Sequence, residues 1–217
     1  MSYLSSKFVR WGGSVALLAI LWLVLPPFRI VSLDENGKLP SNGKGDAAFD
    51  AGEFADRFWE ETLVSSMDSA TPLSDLLEAI DADLASAKRS YGEQKGEGAP
   101  VYFYAGGEGT VVEIKGRRAT LQAHGARVNL LIAPPVFGNT VRDGTGLLSV
   151  NELPGLEEFN AVSAALNKKV ELEVMSVLKD SLSQGVKVRF VGCSKVPEAL
   201  SDGANLEFTP LRVEIAE

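Results

Sequence analysis

The stretch that decides the fold is VYFYAGGEGTVVEIKGRRATLQAHGARVNLLIAPP, residues 101–135. It is rich in β-branched and aromatic residues, and glycines interrupt it at short intervals, which is typical of strands joined by tight turns. The dipeptides Lys115-Gly116 and His124-Gly125 mark two of these turns. The stretch therefore predicts several strands joined by hairpins.

The pattern changes on the C-terminal side of this stretch. Residues 147–150 predict one more short strand, and residues 186–192 and 206–215 predict the last two. Between them, apolar residues recur at i, i+3, i+7 and i+11, which predicts one amphipathic helix: Phe159, Val162, Leu166 and Val170. Several strands, one helix and two strands is the order of an OB-fold, a small five-stranded β-barrel with one helix between strands 3 and 4.

Two helices are predicted before the strands. In the first, four apolar residues recur at helical spacing and are expected in the core: Phe54, Phe58, Trp59 and Leu63. In the second, Thr71 serves as the cap, Pro72 suits the first turn, and Gly92 ends the helix. The predicted fold class is therefore α+β.

The N-terminal region differs from the rest of the chain. Lys7 and Arg10 precede an apolar run over residues 11–31, which is long enough to supply the ~20 residues that cross a bilayer. Acidic residues follow the run, so the positive-inside rule places the N-terminus in the cytoplasm and the remainder in the periplasm. A cleaved signal peptide is the alternative, but small residues at a cleavage site are absent from LVLPPFRIV.

The predicted organisation has four parts. Residues 1–32 are a cytoplasmic tip and a single transmembrane anchor in the bacterial inner membrane, and residues 33–48 are a flexible tether. Residues 49–100 form a helical subdomain, and residues 101–217 form the OB-like β-barrel.

Composition argues against several classes of function. The net charge is −8, which disfavours nucleic acid as a partner. The chain has one histidine, His124 at a predicted turn, and one cysteine, Cys193 in a predicted strand, too few for a zinc site. We predict no catalytic residues, no metal and no cofactor, although the 29 acidic residues leave a carboxylate-based hydrolase open.

The segment APPVFGNTVRDG contains the most unusual polar pair, Arg142 and Asp143. Neighbouring residues on a strand point to opposite faces, so each of the two is expected to have its own partner. Burying either charge without a partner would be costly. The pair therefore indicates a structural polar cluster, with a ligand site as the alternative.

Three motifs in series resemble a known family. They are GEGTVV (107–112), IAPPVFGNTVRD (132–143) and EFNAVSAALNKKV (158–170). Together they resemble an uncharacterised bacterial family of predicted periplasmic lipoproteins, domain of unknown function 2291, over about residues 49–215. Ala133 stands where the family usually has Gly, Asn139 stands where it usually has Thr, with Thr140 one place later, and the lipid-accepting cysteine common near the start of members is missing.

The resemblance implies a small exported domain, often encoded beside sugar ABC transporters, with no established activity. It also implies a polar signature at matched positions: Gly138, Arg142, Asp143, Asn160, Ser163 and Asn167, to which we add Thr140. Asn160, Ser163 and Asn167 lie at i, i+3 and i+7 of the predicted helix, so they share one stripe of its surface. They face solvent, or they meet Arg142 and Asp143, join the helix to the barrel, and form the floor of a ligand cleft.

The function predicted from these patterns is a membrane-tethered, non-enzymatic periplasmic binding or accessory protein. Its expected partners are the inner membrane, through the N-terminal helix, and subunits of a sugar ABC transport system. A small-molecule or oligosaccharide-binding domain without a transporter is one alternative. A carboxylate-based hydrolase is the other.

Overall fold

The computed structural model describes residues 49–178, 181–197 and 206–216. The predicted anchor, residues 1–32, and the predicted tether, residues 33–48, lie outside these ranges. Within these ranges, no helix combines the length and apolar character needed to cross a membrane.

The described residues form one sheet with helices packed on it, which confirms the α+β class. The strands are β1 (Thr71–Pro72), β2 (Gly92–Gln94), β3 (Val101–Lys115), β4 (Arg118–Ala123), β5 (Ala126–Leu131), β6 (Lys187–Lys195) and β7 (Glu207–Ile215). The helices are α1 (Ala51–Arg57), α2 (Leu73–Ala82), α3 (Leu84–Tyr91), α4 (Thr140–Gly144) and α5 (Leu156–Lys169). π-Helical turns extend α1 through Phe58–Leu63 and α5 through Val170–Met175.

Five of the strands pair in a closed cycle. β3 pairs with β4, β4 with β5, β7 with β6, and β6 with β3, all antiparallel. The cycle closes between β5 and β7, which are parallel. The long β3 makes this possible, because residues 102–110 pair with β6 while residues 110–115 pair with β4.

The sequence pattern explains why these strands form and where their core lies. In β4, Ala119, Leu121 and Ala123 alternate with more exposed residues, as expected of a strand with one buried face. β3, β6 and β7 contribute the fully buried rings of Phe103, Phe190 and Phe208 to the same core. The expected core position of Trp59 is confirmed, since its side chain is buried.

Two predictions about helices need correction. The second predicted helix is two helices, α2 and α3, because Asp83 adopts an extended backbone and caps α3 through the Ser86 N–H. Its predicted first turn, Thr71–Pro72, instead forms β1 beside β3. The single helix predicted between strands 3 and 4 is preceded by the short helix α4.

The strand predicted at residues 147–150 is also wrong. Ser149 and Glu152 form a reciprocal capping box around a single 3₁₀ turn, Val150–Glu152. The Ser149 hydroxyl accepts the Asn151 N–H, and Glu152 accepts the Ser149 N–H. These local bonds satisfy backbone groups that a strand ladder would otherwise use.

Candidate functional site

Arg142 and Asp143 bind each other, contrary to the prediction from sequence. Arg142 Nε donates to Asp143 Oδ1 at 2.7 Å, and Nη2 donates to Oδ2 at 2.9 Å. The prediction failed because the pair lies on α4 rather than on a strand, so the two side chains do not point to opposite faces. Both residues are buried, with 5% and 7% of their surface exposed.

Arg142 also connects α4 to α5. Its Nη1 donates to Asn160 Oδ1 at 3.1 Å and lies 3.4 Å from the Phe159 carbonyl oxygen. Its guanidinium carbon is 3.8 Å from the centre of the Phe159 ring, which is a cation–π geometry. Tyr102 on β3 is close enough to the pair to be affected by its charge. Burial, as the larger cause, and the Asp143 carboxylate, as the smaller, raise the pKa of Tyr102. The pair therefore lies between the sheet and α5.

A second set of bonds fixes the loop before α4 to α5. The Gly138 carbonyl accepts from Ser163 Oγ at 3.1 Å and from Asn167 Nδ2 at 2.9 Å. Gly138 has a φ of +77°, a conformation that favours glycine. Asn167 is only 7% exposed, and among the described residues its Oδ1 has no hydrogen-bond partner.

A cleft of about 460 Å³ lies over these bonds, between α5 and the loop 136–139. Of the predicted polar residues, Gly138, Asn160, Ser163 and Asn167 line it. Arg142 and Asp143 are not among its lining residues, and neither is Thr140, the first residue of α4. The structure thus brings Asn160, Ser163 and Asn167 of α5 together with the loop 136–139. The buried Arg142–Asp143 pair lies outside the cleft lining and holds α4 to α5 through Asn160.

Six further residues that line this cleft were missed from sequence, and three of them carry a large aromatic or charged side chain. Phe137 is 73% exposed, Lys168 is exposed, and Glu171 is half-buried. Glu171 Oε1 accepts the Val136 N–H at 2.8 Å, and its Oε2 lies 3.4 Å from Lys168 Nζ. Glu171 lies two turns after Ser163 on the same stripe, so extending the helical spacing could have found it.

A second cleft, of about 510 Å³, lies between α2 and the β4–β5 turn. It brings His124 together with Ser74, Glu78 and Asp81, residues too far away in sequence to be associated by any local pattern. The Ser74 hydroxyl donates to the neighbouring Asp75 rather than to His124. Within the described ranges, no His, Cys, Asp and Glu side chains are grouped closely enough to hold a metal ion.

A family model described as "predicted periplasmic lipoprotein (DUF2291)" matches residues 18–214. The chain belongs to this family. The family description places its members in the periplasm and assigns them no activity. The only cysteine of this member, Cys193, is buried in β6, where burial raises the pKa of its thiol. Cys193 is therefore unsuited to accept a lipid.

A solved structure supports the fold. The crystal structure of an OB-fold protein from Thermotoga maritima is similar over 78% of this chain and 100% of that chain, with 25% identity and a TM-score of 0.69. No curated protein matches the chain significantly. The chain thus has an OB-fold structural neighbour.

Proposed function

We propose that this family member is a non-enzymatic periplasmic binding and accessory protein that serves a sugar ABC transport system. The apolar run over residues 11–31 supports attachment to the inner membrane. The observation that carries the proposal is the cleft between α5 and the loop 136–139, whose lining includes the polar side chains Asn160, Ser163 and Asn167 of α5. Such a concave site with a few fixed polar groups is typical of ligand binding.

The bonding around this cleft favours binding over catalysis. Glu171, its one carboxylate, already accepts the Val136 N–H and lies beside Lys168. The Arg142–Asp143 charge pair is buried, and the two side chains bond to each other. General acid–base catalysis needs a base within reach of the substrate's proton, and these groups are committed to holding the loop and helix together.

The alternative, a carboxylate-based hydrolase, has one observation in its favour. The second cleft places Glu78 and Asp81 on one face of α2 beside His124. In the proposed function this cleft takes no part. We therefore expect His124→Ala and Asp81→Asn to leave sugar uptake unchanged in cells.

Deletion of the gene tests the proposal. We expect slower growth on, and slower uptake of, at least one sugar, restored by the full chain expressed from a plasmid. Affinity purification of the tagged full chain from native membranes is expected to recover a transporter subunit, identified by mass spectrometry. Normal uptake of every sugar together with no transporter subunit in the purification would refute the proposed function.

A further inference from the structure

The outer edge of β7, residues 209–215, lies beyond the short pairing of β7 with β5. β7 pairs with β5 only at Glu207 and Phe208, whereas β6 pairs with the other side of β7 as far as Ile215. In the described part of the chain, no strand pairs with β7 along this outer edge. Such an edge carries backbone N–H and C=O groups that pair readily with another strand.

The β6–β7 ladder shows which backbone groups point to the outer edge. The Ala216 N–H donates to the Lys187 carbonyl, so these two residues form a hydrogen-bonded pair of the ladder. Hydrogen-bonded pairs alternate along an antiparallel ladder, so residues 212 and 214 also bond to β6. The N–H and C=O groups of Val213 and Ile215 therefore point away from β6, toward the outer edge.

An apolar groove of about 290 Å³ lies beside this edge. Its lining includes Leu211 and Val213 of β7, together with Val64 and Val177, which follow the π-helical turns of α1 and α5. Val64 is 46% exposed and Val177 is 66% exposed. At the end of β7, Ile215 is also 46% exposed. The edge therefore offers backbone groups for pairing and apolar side chains for contact.

The sequence of the edge, LRVEI over residues 211–215, matches itself in the antiparallel direction. With Val213 opposite Val213 of a second copy, Arg212 lies opposite Glu214, and Leu211 lies opposite Ile215. Opposite charges then face each other and apolar side chains face each other, which are the cross-strand pairs that stabilise sheets. Moving the centre by one residue, to 212 or 214, would instead place like charges opposite each other.

The charged side chains of the edge are only loosely bound within one chain. Arg212 Nη2 lies 3.3 Å from Oδ1 of Asp68, whose side chain is 86% exposed, and Arg212 Nε lies 3.8 Å from Glu214 Oε1. Exposed ion pairs of this kind contribute little to stability. Arg212 and Glu214 can therefore exchange these contacts for the matching charges of a second copy.

We propose that two copies of the chain associate by antiparallel pairing of β7 with β7, around a two-fold axis at Val213. The charge match favours a second copy over an unrelated strand, because each copy supplies the partner that the other needs, as in any interface built on a two-fold axis. The side chain of Ile215 in each copy then lies opposite Leu211, beside the groove of the other. This association goes beyond the proposed function, since it requires neither a ligand in the α5 cleft nor a transporter.

Disulfide crosslinking of the full chain in cells tests the two-fold axis. The only native cysteine, Cys193, is buried, so an introduced cysteine reports its own position. Paired residues at the axis have Cα atoms about 5.5 Å apart, within reach of a disulfide. We therefore expect Val213→Cys, treated with a copper oxidant, to give a disulfide-linked band of twice the chain mass on a non-reducing gel.

Ile215→Cys is the matched control. It lies on the same strand, but the two copies of residue 215 lie on opposite sides of the axis, roughly 14 Å apart along the strands. A disulfide needs Cα atoms within about 7 Å, so we expect at least about fivefold less linked dimer than with Val213→Cys. Equal crosslinking at both positions would refute the register.

A charge exchange tests the pairing of Arg212 with Glu214. In the Val213→Cys background, Arg212→Glu places like charges opposite each other and should lower the linked fraction by about threefold or more. Adding Glu214→Arg restores opposite charges in the same register, so the linked fraction should return to within about twofold of Val213→Cys alone. A merely structural role of Arg212 predicts no such recovery.

Melting temperatures of the purified variants show whether the fold is retained. If Val213→Cys melts lower than the unmodified chain, analytical ultracentrifugation of the unmodified chain and of Arg212→Glu at equal concentrations decides instead. We then expect a dimer in the first and a monomer in the second. Three results would overturn the proposal: no linked dimer above the Ile215→Cys control, no recovery in the charge exchange, or linkage of Val213→Cys to a different protein.

Discussion

Replacing Arg142 with alanine is expected to destabilise the protein strongly. The change removes both bonds to Asp143, at 2.7 and 2.9 Å, the bond to Asn160 at 3.1 Å, and the stacking on Phe159. It also leaves the Asp143 carboxylate, 7% exposed, without its cation. Breaking a buried ion pair in this way costs about 3–5 kcal/mol.

The effect can be read as a melting temperature. For a chain of this length each kcal/mol corresponds to roughly 2–4 °C, so Arg142→Ala should lower the melting temperature by roughly 6–20 °C. Circular dichroism on the purified full chain measures it. The double variant Arg142→Met/Asp143→Leu should be more stable than Arg142→Ala, because it leaves no uncompensated buried carboxylate.

Arg189→Ala is the matched control. Arg189 also makes two bonds to one carboxylate, that of Glu108, but its side chain is 57% exposed. Surface pairs of this kind contribute about 0–1 kcal/mol. If Arg142→Ala melts within the range of Arg189→Ala, then the buried pair does not hold α4 to α5 and the reasoning is refuted.

Three further predictions concern other buried or strained positions. Burial raises the pKa of the Cys193 thiol, so as the pH rises the thiol loses its proton in the unfolded chain before it does so in the folded chain. The free energy of unfolding should therefore fall as the pH rises above about 8.5, and it should fall more steeply than in the Cys193→Ala variant. Gly144→Ala would place a Cβ 2.5 Å from the Cβ of Cys193, so the free energy of unfolding, measured with urea, should fall by about 1–3 kcal/mol. In the control variant Gly155→Ala the new Cβ meets only the flexible Glu158 side chain, so the free energy of unfolding should fall by less. His124 has a φ of +47° in a two-residue turn, so His124→Asn should raise the stability by up to about 1 kcal/mol; a lower melting temperature would contradict this.

The larger elements were predictable from the sequence because their apolar residues repeat with a clear period. The alternation in β4 and the i, i+3, i+7 spacing of Phe159, Val162 and Leu166 each extend over several repeats. The glycine-containing turns at residues 115–118 and 123–126 also fall where the dipeptides indicate. Such repeats specify which face is buried, and the structure confirms that α5 buries Phe159, Val162 and Leu166.

The short elements were not predictable in the same way. α4 has five residues, too few for a helical period, and four of them are buried, so no polar face marks it as amphipathic. Its conformation depends on tertiary contacts, among them the close approach of Gly144 to Cys193 on β6. β1 and β2 likewise owe their form to pairing with β3 rather than to their own sequence.

The site was predictable in part for a similar reason. Asn160, Ser163 and Asn167 share one stripe of α5, and helical spacing alone puts them together. Phe137 and Lys168 had no such signal. Their place in the cleft depends on where the loop 136–139 crosses α5, and that crossing is fixed by bonds to Gly138 and Val136 that link residues far apart in sequence.

The closed cycle of strands has one short joint, which bears on how the protein opens. β3 and β6 pair continuously from Tyr102 to Thr110, whereas in the described residues the parallel strands β5 and β7 pair only at Asn129–Glu207 and Leu130–Phe208. In native-state hydrogen exchange, the backbone amides of the β5–β7 pairing should therefore exchange with solvent first, because local opening is expected where strands are least extensively paired. If these two pairs part, the other four pairings still connect the strands in one continuous antiparallel ribbon, β5–β4–β3–β6–β7.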